Sequence, residues 1–161
     1  MELFEAIQKR RSVRHFTGER IPPGDLLKIV EAGRLAASGS NLQPWDFIII
    51  TDAAMIERLK VAARWMEHAG AIIAVVMDPA SRWWVEDGSA AVENMLLAAT
   101  ALGYGSCWLE GYTLQREEEF RALLGIPGGR RLLTLVPLGV PAEWPTKEKK
   151  RLEEVIHWEK W

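Results

Sequence analysis

Three apolar runs set the frame for the fold: "WDFIII" at 45–50, "AIIAVVM" at 71–77 and "RRLLTLVPLGV" at 130–140. Each has the length of a strand and is rich in branched side chains. The second has no polar residue, the mark of a strand buried from both sides. A sheet built from such strands needs helices to cover it, and helical periodicities lie between the runs.

Leu3, Phe4 and Ile7 give a short N-terminal helix its apolar stripe, with cations Lys9, Arg10 and Arg11 near its end, where they complement the helix dipole. Leu26, Ile29, Val30 and Gly33 predict a helix over 25–37 entered through Pro22 and Pro23. A helix over 53–68 carries Met55, Leu59, Ala62 and Met66 on one side. The longest runs over about 85–102, where Gly103 reads as a left-handed C-terminal cap. "GSCWLEGY" at 105–112 reads as a strand or extended turn. Thr113 is placed to cap a helix to Leu124, and the tail ending in "LEEVIHWEKW" looks helical. Alternating helices and strands argue for an α/β or α+β sandwich.

At 161 residues, 48% of them hydrophobic, the chain suits one domain, 1–161, and no linker or repeat divides it. A formal charge of −2 gives no overall drive toward nucleic acid or an anionic membrane, so a small-molecule partner is expected. The charged N-terminus lacks a signal-peptide core, no apolar run is long enough to span a bilayer, and Cys107 stands alone. These features together point to the cytoplasm.

The chain carries few signatures of familiar chemistry. His15, His68 and His157 are scattered with no HExxH or CxxC, which implies no metal. No G-x-S-x-G elbow nominates a nucleophile. "GYGSCW" at 103–108 lacks the third glycine of a dinucleotide loop and follows a helix where that loop would precede one.

Three polar segments remain. In an extended "RRSVR", Arg10, Ser12 and Arg14 point the same way, two cations and a hydroxyl in line for a phosphorylated polyol; a solvated basic helix end is the competing account. "KEKK" at 147–150 offers Lys147 and Lys149 with the same two readings. "ASGSNLQPWDF" at 37–47 presents Ser38, Asn41 and Gln43, neutral groups suited to the carbonyl and imide edges of a heterocycle. Capping accounts for one or two of them, and Pro44 predicts that Gln43 leaves in extended conformation. The eight tryptophans serve either packing or a flat wall for a planar ligand.

Together, "RRSVRHF", "ASGSNLQPWDFIII", "VEDGSAAVENMLLAATALGYGSCWLEGY" and "VPLGVPAEWPTKEKKRLEEVIHW" resemble, in order, the motifs of the nitroreductase family of FMN-dependent oxidoreductases. That resemblance implies an α+β fold: a nitroreductase-like three-layer sandwich with a mixed, mainly antiparallel sheet flanked by helices. It also implies an intertwined homodimer whose tail, about 146–161, packs on the partner subunit.

Residue by residue, it assigns Arg10, Arg11, Ser12 and Arg14 to the FMN phosphate, ribityl chain and pyrimidine edge, and Lys147 and Lys149 to the phosphate. Ser38, Asn41, Gln43 and Pro44 would touch the flavin partly from the other subunit, and the backbone at Glu110 and Gly111 would face N5. No protein group is then needed as acid, base or nucleophile, because the cofactor carries the chemistry and Arg14 supports the reduced flavin. NADH or NADPH would deliver hydride through N5 to a nitroaromatic, quinone or flavin by a ping-pong mechanism. A flavin-storage protein, or an enzyme of the same fold working by enoate reduction, dehalogenation or flavin fragmentation, is the alternative. Ala37 stands where the family often has proline and Lys149 where arginine is common. The segment over the site is reduced to about 78–87, where Trp83 and Trp84 could line the open face.

Overall fold

The computed structural model describes the backbone of residues 1–161 and every side chain except that of Glu67. Its centre is a four-stranded sheet of β1 (Trp45–Ile50), β2 (Ala71–Met77), β3 (Gly105–Ser106) and β4 (Arg131–Gly139), in the order β1-β2-β4-β3. Neighbouring strands are antiparallel. One parallel bridge, Ser12 to Ser106, lays the N-terminal segment along the short edge strand β3 and makes the sheet mixed.

The apolar runs behave as buried strands because each face of the sheet has its own core. Ala71, Ile73, Val75 and Met77 of β2 face α2 (Pro23–Arg34) and α4 (Trp84–Ala101). Ile72, Ala74 and Val76 face the other way, toward α3 (Ala53–Leu59), the region that follows it and α6 (Glu117–Leu124). In β4 the alternation changes parity. Leu132 and Leu135 share one core, while Leu133, Val136 and Leu138 share the other. A bulge explains this: Val75 pairs with Thr134 and Val76 with Leu132, so Leu133 is the extra residue.

Several expected elements are shorter. α2 begins at Pro23, inside its proline entry, and ends at Arg34. The helix expected over 53–68 stops at Leu59 and continues as two 3-10 turns around an extended Ala63. Ala62 and Met66 stay buried through that break. Thr113 is not a cap: it lies inside the short α5 (Gly111–Gln115), where its buried hydroxyl donates to the Leu109 carbonyl, and α6 starts separately. α4 and the left-handed Gly103 (φ 90°) agree with expectation.

The tail differs most. Apart from one turn at Leu152–Glu154 it has no regular structure, and residues 152–161 are exposed throughout. A segment of ten residues with no surface to bury against cannot sustain an isolated helix. Among the described residues no helix is long and apolar enough to cross a membrane.

Candidate functional site

Beyond α1 (Leu3–Lys9) the chain is extended, the first of the two readings open for "RRSVR". Val13 N–H donates to the Ser106 carbonyl at 2.9 Å, and Thr17 N–H to the Val140 carbonyl at 3.0 Å. Val13 is fully buried against Gly105, worth about 1.5–3 kcal/mol for a side chain of this kind. Its burial fixes the opposite face outward: Arg10, Ser12 and Arg14 line one hollow of about 430 Å³ together with Lys147 and Lys149. The two basic segments, separated by more than 130 residues, form one site wall.

The arginines in that wall do different work. Arg10 is half-buried and pairs with Glu93 of α4 at 3.2 Å. Arg11 directs Nε to the Lys147 carbonyl at 2.8 Å and Nη1 to the Gln8 and Arg10 carbonyls, each at 2.7 Å. It joins the end of α1 to the C-terminal segment. Arg14, exposed, also lines a second hollow of about 360 Å³, walled by Trp65, Trp108 and Tyr112 and floored by Cys107, Glu110 and Gly111. Burial pushes the Cys107 thiol above its ordinary range, an effect opposed by Arg14, Ser12 and Arg10 nearby.

Arg14 therefore links a cationic hollow to an aromatic one. The first suits a phosphate on a polar chain. The second, with aromatic walls and Glu110 and Gly111 at the start of α5, suits a planar ring. Trp65, Cys107, Trp108 and Tyr112 were not foreseen. Trp65 arrives there through the break after α3, which periodicity does not disclose.

Ser38, Asn41, Gln43 and Pro44 lie elsewhere. Gln43 and Pro44 line a separate hollow with Asp46, Asp78 and Arg130, the last paired to Asp78 at 3.2 Å. Gln43 does not leave in extended conformation. Its φ is 51°, and Ser40 (50°) and Asn41 (57°) are also left-handed, a costly backbone for residues other than glycine. Local bonds stabilise the turn: Gln43 N–H donates to Ser38 Oγ at 3.1 Å and Gln43 Nε2 to the Asn41 carbonyl at 3.1 Å.

Trp83 and Trp84 line neither the cationic nor the aromatic hollow. Trp83, 41% exposed, lies against Gly39 so closely that a Cβ there would sit 2.4 Å from its ring. Trp84 packs on the α2/α4 core with the Arg131 guanidinium 5.4 Å from its ring centre.

The sequence profile described as the nitroreductase family matches residues 7–66 and 57–140. The chain is 38% identical to the Archaeoglobus fulgidus protein named "Putative NADH dehydrogenase/NAD(P)H nitroreductase", with 99% of each chain covered. It is 30% identical to an NADH dehydrogenase of Thermus thermophilus, over 95% of this chain and 94% of the relative. A crystal structure of a Bacteroides fragilis nitroreductase with bound FMN superposes with a TM-score of 0.84 at 33% identity, covering 99% of this chain and all of that one.

Proposed function

The chain belongs to the nitroreductase family, and on that premise we propose that it is an FMN-dependent oxidoreductase using NADH or NADPH to reduce an electron-poor small molecule. The observation that carries this reading is Arg14, shared by a cationic hollow and an aromatic one. FMN has that bipartite character: a phosphate on a polyol chain at one end and a planar ring at the other. The donor set therefore fits the group.

When bound, FMN supplies hydride exchange between a nicotinamide and an acceptor, chemistry that no side chain of this protein could perform alone. The chain binds and orients. Ser12, Lys147 and Lys149 would hold the phosphate and polyol, with Arg10 braced by Glu93. Arg11 completes that wall through the Lys147 carbonyl. Arg14, at the junction, would face the pyrimidine edge and stabilise negative charge developing there. The backbone N–H groups at Glu110 and Gly111 would meet the ring, and Trp65, Trp108 and Tyr112 would shield it from water.

Ser38, Asn41, Gln43 and Pro44 stand apart from these groups in one chain, so we assign them to the flavin of a second copy in a homodimer. The apolar residues Leu3, Phe4 and Ile7 on α1 and Leu152, Val155, Trp158 and Trp161 in the tail are all exposed, surface that an intertwined partner would cover. Trp83, which packs on Gly39 of that turn, would border the donor and acceptor side of the second copy's flavin, with Trp84 behind it on the α2/α4 core. Because both substrates would use one open face in turn, ping-pong kinetics are expected.

The deciding experiment is the visible spectrum of the purified protein before and after anaerobic NADH or NADPH. A bound-flavin spectrum that bleaches with the donor and returns with a nitroarene or quinone supports the reading. A flavin that never bleaches indicates storage, and no flavin uptake at all refutes the assignment.

A further inference from the structure

Asp87 is a carboxylate on the first turns of α4, only 5% exposed, that the proposed chemistry does not use. Its Oδ1 accepts the Gly39 N–H at 2.9 Å, while its Oδ2 is buried with no partner among the described residues. Burying a carboxylate with an oxygen unmatched is costly, and a neutral side chain would avoid that cost. The structure nevertheless places it under the most strained backbone in the chain, the turn holding left-handed Ser40, Asn41 and Gln43.

Among the described residues, the other hydrogen bonds made by residues 38–43 stay within that segment, as in Gln43 N–H to Ser38 Oγ and Asn41 N–H to the Ser38 carbonyl. Among the described residues, the Gly39–Asp87 bond is the one hydrogen bond tying the turn to another element. Gly39 is also pressed against Trp83, which leaves no room for a Cβ. A strained turn persists only where its surroundings over-determine it, and here Asp87 and Trp83 add to the turn's own local bonds from outside it.

We propose that Asp87 is a positioning residue for the flavin ring: through the Gly39 N–H it holds the 38–43 turn in the conformation that presents Asn41 and Gln43 to the ring edge. This rests on the FMN reading above. It assigns to the start of α4 a role in cofactor geometry.

The test compares FMN with riboflavin, which lacks the phosphate, in equilibrium binding to the full-length protein. Asp87→Ala is expected to weaken both by about tenfold, the scale of one charge-assisted hydrogen bond, leaving their ratio unchanged. Lys149→Ala is expected to weaken FMN alone. Visible-region circular dichroism of the bound flavin, which senses the ring and not protein stability, should change in Asp87→Ala and not in Lys149→Ala. Asp87→Asn keeps an acceptor for Gly39 and should stay within about threefold of wild type. If Asp87→Ala melts below the assay temperature, Gly39→Ala decides instead, because its Cβ forces the turn and Trp83 apart and strains the Gly39–Asp87 bond with the carboxylate in place; it should show the same ring-end loss. Unchanged affinity and dichroism in the decisive variant, or a loss confined to FMN, overturns the proposal. Wild-type protein that binds neither flavin overturns the FMN reading itself.

Discussion

The Nε–H of Arg11 donates to the Lys147 carbonyl at 2.8 Å, binding the first basic segment to the last. With two more bonds to the Gln8 and Arg10 carbonyls, this guanidinium is committed to backbone before any ligand arrives. Arg11→Ala should therefore weaken FMN by about tenfold through displacement of Lys147 and Lys149, given about 1.5 kcal/mol per hydrogen bond to a charged group. In a double-mutant cycle the losses from Arg11→Ala and Lys149→Ala should be clearly less than additive, because part of the Arg11 effect passes through Lys149. Additive losses would mean that Arg11 contacts the phosphate itself. Arg11→Lys should not rescue, since an ammonium lacks the planar fork that spans separate carbonyls.

Arg14 differs because it is exposed and both hollows open onto it. Removing its charge should make flavin reduction harder while the fold persists, since Val13 and not Arg14 anchors the segment. The expected fall in midpoint potential for Arg14→Ala is on the order of 30 mV, about 1.4 kcal/mol for a two-electron couple. Equilibration with a reference dye would measure it, together with slower anaerobic reduction by NADH. An unchanged potential in the flavin-loaded variant would remove Arg14 from the ring.

Much of the architecture was readable because it rests on short-range pattern. The three apolar runs became β1, β2 and β4, and α4 fell within a residue of its expected bounds. For the stretch at 10–14 the sequence left an extended segment and a solvated helix end both open, and the extended one holds because one buried valine orients the polar side chains beside it. What escaped depends on contacts between distant segments. The bulge that reverses parity at Leu133 is a property of pairing with β2, not of the run itself. Trp65 enters the aromatic hollow only because a helix breaks at Lys60, and the left-handed turn at 40–43 contains no glycine at its strained positions. Asp87 has no mark in the local pattern of α4, because its burial and its bond to Gly39 come from the packing of that helix against the distant 38–43 turn.

Glu117 gives the fold a pH-sensitive joint. Its two oxygens accept from Arg131 Nε and Nη2 at 2.7 and 2.8 Å, and the Leu132 N–H adds a third bond at 3.0 Å. The bonds from Arg131, then that from Leu132, hold its carboxyl below the ordinary glutamate range, with burial opposing. A depressed carboxylate contributes stability above its unfolded value near 4.5, and that contribution is lost as the pH falls through the folded value. Glu117→Gln should lower stability at pH 7 by about 1.5–3 kcal/mol, and its difference from wild type should shrink steadily below about pH 4.5. Urea unfolding of both proteins across this range measures it. A gap that stays constant down to pH 3 would show that the charge is not responsible.

The tail yields a prediction that separates assembly from folding. Residues 152–161 touch neither core, yet they carry Trp158 at 81% exposure and Trp161 at 100%, apolar surface that a second copy would cover under the homodimer reading. Removing them should leave far-UV circular dichroism and the cooperative unfolding of a single chain unchanged. If the tail covers a second copy, the truncated protein should sediment as a monomer at concentrations where the full chain is a dimer. FMN affinity should also fall, because Ser38, Asn41 and Gln43 would no longer reach the other site. Affinity can be recovered in neither Trp158→Ala nor the truncation by adding more protein unless dimers re-form, so titrating protein concentration at fixed FMN distinguishes lost assembly from a damaged binding surface. A truncated monomer that binds FMN as tightly as the full chain would confine the whole flavin site to one subunit.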